Sequence, residues 1–176
     1  MPKRIAHATK QSQSALLIEV AWEVCNQVGG IYTVIRSKAP VMMQNWSGHF
    51  CMIGPYVNKN ILAELEPLED AADVFGLAAA NLRKRGYDVI YAEWLITGKP
   101  RVVLLNPNVI EEKVLHVLKY LLWKNHSIQT PDKNELIDQV IGFAYLTKLF
   151  IDELVKISGN DQRILAHFHE WMAGLP

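Results

Sequence analysis

Short apolar runs and longer amphipathic segments alternate along this chain, and the alternation predicts strands separated by helices. The apolar runs contain β-branched residues and stop at glycine, proline or polar turns, which is typical of buried strands. We expect a turn at Gly54 and Pro55 after the second strand, and a hairpin that joins the third and fourth. The predicted strands are Ala15 to Val20, His49 to Ile53, Asp88 to Leu95, Arg101 to Leu105 and Arg163 to Phe168.

Apolar residues at spacings of three and four predict the helices between these strands. The first helix follows Gly30 and has Lys38 as the one polar member of its apolar face. Strands alternating with helices predict an α/β fold with a mostly parallel sheet, helices on both faces, and ligands at the carboxyl ends of the strands. The other predicted helices are Ala71 to Gly86, with Leu77, Ala78 and Leu82 inward, Val109 to Trp123, and Asn134 to Ile157, with Leu136, Val140, Phe143, Leu146, Phe150 and Leu154 inward.

The length and composition suit one domain preceded by a tail. The chain has 176 residues, of which 50% are hydrophobic, enough for one compact core. Residues 1–14 carry Lys3, Arg4 and Lys10 among polar residues and lack the apolar segment of a secretory signal. We therefore expect a flexible tail, with a transit peptide as the alternative that composition leaves open.

Charge and cysteine content disfavour several classes of protein. Eighteen basic residues balance eighteen acidic ones, so no global field draws the chain to nucleic acid or an anionic membrane. The cysteines, Cys25 and Cys51, lack metal-site spacing, and we interpret them as buried thiols in a reducing, cytoplasmic setting. No apolar run approaches the roughly 18 residues that span a bilayer. The most apolar early stretch, from Ala15 to Val24, is interrupted by Glu19 and Glu23.

A glycine pair lies between the first strand and the first helix. It belongs to the segment Gln27, Val28, Gly29 and Gly30. Free N–H groups at a helix start attract anions, and residues without side chains let a phosphate or a sugar approach the backbone. A tight turn with no ligand is the alternative. The patterns G-x-G-x-x-G and G-x-x-x-x-G-K-[ST] are missing, which disfavours a nicotinamide dehydrogenase, an ATPase and a kinase.

A second cluster of polar residues ends the last predicted strand. His167 and His169 should share a face of that strand, with Phe168 turned the other way. No third ligand is evident from the sequence, so we predict no metal site, and a buried, hydrogen-bonded histidine is the plain alternative at each position. Glu170 could bind sugar hydroxyls or cap the following helix.

Longer stretches around these two segments resemble the eukaryotic-type glycogen synthases, over nearly everything after Ala15. The match is long and specific. It runs through Glu19 to Val24, Val28 to Val34, Gly54-Pro55-Tyr56, Trp94-Leu95-Ile96 with Gly98 and Pro100, Val102 to Leu105, and Ala166 to Trp171.

This resemblance implies a retaining glucosyltransferase built from two Rossmann-like domains, with residues 15–176 as an incomplete N-terminal one. The reaction expected of the family is transfer of glucose from UDP-glucose to the nonreducing end of an α-1,4-glucan, in glycogen biosynthesis. The nucleotide sugar is a substrate, so no cofactor is implied. Because the chain stops just after Trp171, within what should be the next helix, we expect a truncated protein that transfers no glucose by itself.

The resemblance also implies roles for individual residues. Val28, Gly29 and Gly30 are expected to bind the nucleotide sugar, together with Gln27 in a position that the family usually fills with Lys or Arg. Glu170 is expected beside the transferred glucose as the first catalytic candidate, and His169 as the second. A neutral glutamine offers phosphate a weaker hydrogen bond than a cation does, so donor affinity should be reduced.

Other functions stay open at this point. The neutral Gln27 leaves room for a noncatalytic module that binds a nucleotide or a glucan. A related transferase that uses ADP-glucose is the second alternative, because base selectivity depends on residues outside this stretch. The family often assembles, so a homo-oligomer of the full-length protein is open as well.

Overall fold

The computed structural model describes residues 15–68, 72–159 and 162–175. The predicted tail of residues 1–14 lies outside them, as do the first residue of the predicted helix Ala71 to Gly86 and part of the turn after residue 158. Within the described residues, no helix has the length and apolar character needed to cross a bilayer.

Over the described residues the strands form one six-stranded sheet in the order β3-β4-β5-β2-β1-β6. Parallel pairing joins β1 to β2, β1 to β6 and β2 to β5, whereas β3 with β4 and β4 with β5 are antiparallel. The α/β prediction is confirmed, and so is the hairpin of the third and fourth predicted strands. The strand bounds are β1 Ala15–Val20, β2 Phe50–Pro55, β3 Leu65–Pro67, β4 Val89–Trp94, β5 Arg101–Leu105 and β6 Arg163–Phe168.

The α-helices of the described residues lie near their predicted places, and local capping explains several of their starts. The Asp73 side chain accepts the N–H groups of Phe75 and Gly76 where α2 begins. The Asn134 side chain does the same for the N–H of Ile137 at α4. Both are favoured residue types at a helix N-cap. The helix bounds are α1 Gly30–Trp46, α2 Val74–Lys84, α3 Glu112–His126 and α4 Glu135–Ser158.

Both faces of the sheet are covered. On one face Ile35 and Ala39 of α1 pack with Met52 and Leu104. On the other face α2 and α4 bury a second apolar cluster against alternate residues of the same strands. The buried face of α4 includes Val140, Phe143, Leu146, Phe150 and Leu154 as predicted.

Three local predictions are wrong. Leu77 and Leu136, expected to face inward, are 44% exposed at the first turns of α2 and α4. Gly54 and Pro55 do not form a turn after β2 but belong to the strand and pair with β5. A Cβ on Gly54 would lie 2.7 Å from the Cβ of Val24, so glycine is needed here for close packing and not for chain reversal.

The position of β1 predicts a ligand crevice at the carboxyl edge of the sheet. The chain leaves β1 through α1 on one face to reach β2, and it returns through α4 on the other face to reach β6. Because β2 and β6 flank β1 on opposite sides, the strand order reverses there. Such a reversal leaves an open crevice beyond the strand ends, the place where α/β folds bind ligands.

Candidate functional site

The glycine segment lies beyond the end of β1, at this crevice. The loop from Ala21 to Cys25 is buried, and the chain then emerges to the surface. Gln27, Val28, Gly29 and Gly30 are all exposed, and α1 begins at Gly30. The structure therefore brings the four predicted nucleotide-sugar residues together at a helix start.

An internal carboxylate already binds part of this helix start. Glu23 is buried, and its Oε2 accepts the Gly29 N–H at 2.6 Å and the Tyr32 N–H at 3.0 Å. The expectation of free N–H groups is thus wrong for Gly29. Among the described residues, no group outside α1 accepts a hydrogen bond from the N–H of Gly30 or of Ile31. A ligand anion would meet those two groups.

The two glycines differ in what surrounds them. A Cβ on Gly29 would lie 3.1 Å from Glu23 Oε1, so the fold itself favours glycine at this position. A Cβ on Gly30 would meet no described atom within 4 Å. The bare backbone at Gly30 is therefore not explained by packing, and it leaves room for a ligand to approach.

Gln27 lines a shallow depression on the outer side of α1 together with Tyr32 and Arg36. The Arg36 guanidinium lies over the Tyr32 ring at 5.2 Å from its centroid and donates to the Tyr32 hydroxyl at 3.1 Å. Gln27 itself has no charge, but the depression contains this one cation.

The end of β6 is fixed to the end of β1 by a main-chain hydrogen bond. The His169 N–H donates to the Val20 carbonyl at 2.9 Å. The rings of His167 and His169 lie side by side with centroids 4.2 Å apart, which confirms that they share a face. Glu170 follows with φ of 58°, a conformation that non-glycine residues adopt rarely. Such strain is often found at functional positions.

Glu19 and Lys38 complete the cluster around His169. The Nε2 atom of His169 lies 2.5 Å from Oε1 of Glu19, and the Lys38 ammonium contacts the same oxygen. Glu19 is only 1% exposed. Sequence reasoning assigned neither residue to the site, yet both were visible as charged positions in otherwise apolar patterns.

The cluster contains the three side chains that a metal site would need. One ligand atom each from Glu19, His167 and His169 lies within 4.8 Å of the others, so Glu19 is the third candidate that the sequence did not reveal. The positive charge of Lys38 already neutralises the Glu19 carboxylate, and it would repel a divalent cation. The donor set therefore suits a hydrogen-bonded cluster better than a metal.

Glu170 is partly buried at the same edge. Its Oε1 is buried without a hydrogen-bond partner among the described residues. Loss of hydration raises the pKa of the Glu170 carboxyl above its ordinary value, the negative charge of Glu23 raises it further, and His169 opposes both. A carboxyl group in such a place can take up or release a proton during a reaction.

Glu23 connects the two segments. It binds the Gly29 and Tyr32 N–H groups directly, and its charge acts on Glu170. The glycine turn follows β1 and Glu170 follows β6. Because these strands are parallel neighbours and the His169 N–H donates to the Val20 carbonyl, both segments lie beyond the same edge of the sheet.

Comparison with known proteins gives the same family along most of the chain. The family model described as glycogen synthase matches residues 19–176. Glycogen [starch] synthase of Neurospora crassa is 36% identical over 166 residues, which are 94% of this chain. The human liver glycogen [starch] synthase is 36% identical over 93% of this chain, and isoform 1 of Saccharomyces cerevisiae is 33% identical over 93%.

The matched region is only part of each relative. It spans 23% of the Neurospora and human proteins and 24% of the yeast protein. Since the family model covers far more than half of the residues here, this chain belongs to the glycogen synthase family.

Proposed function

We propose that this chain is the incomplete N-terminal domain of a retaining glucosyltransferase that moves glucose from UDP-glucose to the nonreducing end of an α-1,4-glucan. The relatives named glycogen [starch] synthase support this activity. The proposal concerns a longer protein, in which a second Rossmann-like domain closes over the crevice. No cofactor takes part, and the protein acts in the cytoplasm.

The observation that carries the proposal is the meeting of two features at one crevice. Gly30 and Ile31 offer N–H groups at the start of α1, and Glu170 presents a carboxyl group at the end of the neighbouring β6. A diphosphate needs the first feature, and a sugar with hydroxyl groups needs the second.

The N–H groups act on the leaving group. Cleavage of the bond between glucose and diphosphate concentrates negative charge on the phosphate oxygens. Donors fixed in advance at a helix start stabilise that charge without reorganisation, and the positive end of the helix dipole adds to the effect. Glu23 keeps the loop in place by binding Gly29 and Tyr32.

Glu170 acts on the sugar. Glu170 is partly exposed and its Oε1 has no hydrogen-bond partner among the described residues, so the carboxyl group can turn to a ligand hydroxyl at this edge. A carboxyl group with a raised pKa can accept a hydroxyl hydrogen bond or exchange a proton at modest energetic expense. Closure by the second domain would exclude water, which otherwise hydrolyses the donor.

The test is a transfer assay with the full-length protein, radiolabelled UDP-glucose and glycogen, and ADP-glucose in parallel. We expect incorporation from UDP-glucose, and we expect residues 1–176 alone to incorporate none. Replacing Glu170 with Gln should lower the rate by at least about 100-fold. The control Glu112→Gln removes the same charge from an exposed position on α3 and should leave the rate unchanged.

The outcomes separate the alternatives. Binding of UDP-glucose or glucan without incorporation would favour a noncatalytic module. Preference for ADP-glucose would favour a related transferase. Full activity of the Glu170→Gln enzyme would reject the role given to that carboxyl group, and transfer by the 176-residue chain alone would reject the need for a second domain.

A further inference from the structure

Glu19 is a buried carboxylate at the end of the central strand β1. Its side chain is 1% exposed and lies among the apolar residues of the sheet. A charge in such a place is unfavourable unless opposite charges and hydrogen bonds compensate it, and apolar residues of similar size often serve stability as well. A role in stability alone does not explain why a carboxylate stands here.

The two partners of Glu19 come from different elements. Lys38 belongs to α1, the helix that begins at the glycine turn. His169 directly precedes Glu170 at the end of β6. One carboxylate oxygen therefore joins the helix that carries the proposed phosphate contacts to the strand that presents the proposed catalytic group.

The contact also selects the tautomer of a neutral His169 ring. A carboxylate can only accept a hydrogen bond, so Nε2 of His169 must carry the proton that it donates. In a neutral ring the other nitrogen, Nδ1, is then a bare acceptor. The main-chain bond from the His169 N–H to Val20 holds the same residue from a second side.

The second carboxylate oxygen of Glu19, Oε2, also indicates a role beyond stability. This oxygen is buried and has no hydrogen-bond partner among the described residues. An oxygen left unpaired inside a protein is destabilising and is often retained for function.

We propose that Glu19 is a positioning residue, which fixes the His169 ring and, through it, the backbone that presents Glu170. This inference rests on the proposed glucosyl transfer for its kinetic consequences, whereas the state of the His169 ring is independent of it. Lys38 supplies the opposite charge beside the buried Glu19 carboxylate.

The kinetic test uses Glu19→Gln, Lys38→Met and the double variant in the full-length protein. Glu19→Gln should lower kcat for glucose transfer by at least about 10-fold, with a change in the KM for UDP-glucose below about 3-fold. It should also lower the melting temperature, because it leaves the Lys38 charge without its partner.

The double variant separates positioning from stability. Without either charge it should regain the melting temperature of the wild type, whereas kcat should stay low because His169 still lacks its carboxylate. Recovery of kcat together with stability would overturn the proposal. The pair Glu66→Gln and Lys99→Met, which removes a surface ion pair of 3.0 Å at the opposite edge of the sheet, is the matched control and should leave kcat unchanged.

A second readout needs no enzyme activity. Nitrogen-15 NMR of the histidine rings in the full-length protein should show a protonated Nε2 at His169, and Glu19→Gln should produce a mixture of tautomers. The exposed ring of His126 at the end of α3, outside the cluster, is the internal reference. An unprotonated Nε2 at His169 in the wild type would overturn the proposal. If the full-length protein transfers no glucose, the proposed function fails while this spectrum still decides the inference.

Discussion

The carboxylate of Glu23 lies against the backbone of Gly29 and accepts its N–H at 2.6 Å. The same oxygen accepts the Tyr32 N–H, so α1 starts on a negative charge from its own chain. This arrangement organises the loop before any ligand arrives. It also limits the N–H groups that a phosphate can use to those of Gly30 and Ile31.

Removal of this cap should destabilise the protein. We expect Glu23→Ala to lower the free energy of unfolding by about 1–3 kcal/mol, because the N–H groups of Gly29 and Tyr32 lose their acceptor. Urea unfolding of the 176-residue chain measures the change. Glu111→Ala is the control, since Glu111 precedes α3 without a side-chain capping bond. Equal stability of the two variants would contradict the capping role.

The sequence predicts this region only in part. The last strand, β6, matches its predicted bounds because a short apolar run is a local pattern. Glu23 and Gly29 are six positions apart in a loop. A loop has no regular spacing of apolar residues from which such a bond could be predicted. The contact of Glu19 with His169 joins positions 150 apart, and only the packed sheet brings them together.

Errors in the fold prediction have equally local causes. The dipeptide Gly54-Pro55 is typical of a turn, yet β2 continues through it and pairs with β5. Glycine stands there because Val24 packs where a side chain on residue 54 would lie. The strand β3 is only three residues long and contains Glu66 and Pro67, so it has no strand pattern to detect. Leu77 and Leu136 follow helical spacing but lie on turns that no element of the described residues covers.

The pKa of Glu170 predicts how stability depends on pH. Burial and the charge of Glu23 raise this pKa in the folded chain, so the folded state binds the proton more tightly than the unfolded state does. The contribution of Glu170 to stability is therefore greatest below the ordinary carboxyl pKa and is lost as pH rises through the raised folded value.

Urea unfolding of the wild type and Glu170→Gln across about pH 4 to 8 tests this dependence. The stability of the variant relative to the wild type should increase through that window and stay constant above it. A relative stability that decreases with rising pH would mean that the pKa of Glu170 is lowered and would contradict the account.

The charge of Lys38 predicts weak metal binding at the neighbouring histidines. Zinc should not raise the melting temperature of the wild-type chain, because the ammonium group occupies the Glu19 oxygen that a metal would need. Lys38→Met should gain a zinc-dependent rise, since three candidate ligands then face each other without a competing cation. Stabilisation of the wild type by stoichiometric zinc would show that the cluster is a metal site.

Replacing the neutral Gln27 with a cationic residue should strengthen the binding of UDP-glucose. In the full-length protein, Gln27→Lys should lower the KM for UDP-glucose about 3- to 10-fold, because a charge-assisted bond to phosphate is roughly twice as strong as a neutral one. Gln129→Lys adds the same charge on an exposed loop away from the crevice and is the control. Unchanged or weaker donor use by Gln27→Lys would argue against a phosphate contact at this residue.

The central claim is that a ligand approaches the bare backbone at Gly30, and Gly30→Ala tests it most directly. A methyl group there meets no described atom within 4 Å, so the free energy of unfolding should stay the same or rise slightly in this helix. Gly48→Ala, at the amino end of β2, is the matched glycine control.

The decisive measurement is the affinity of the full-length protein for UDP-glucose by titration calorimetry. The account predicts a loss of at least about 10-fold for Gly30→Ala, which corresponds to about 1.4 kcal/mol, and no change for Gly48→Ala. Wild-type affinity in a fully folded Gly30→Ala protein would contradict the account, because it would place the donor phosphates away from the start of α1.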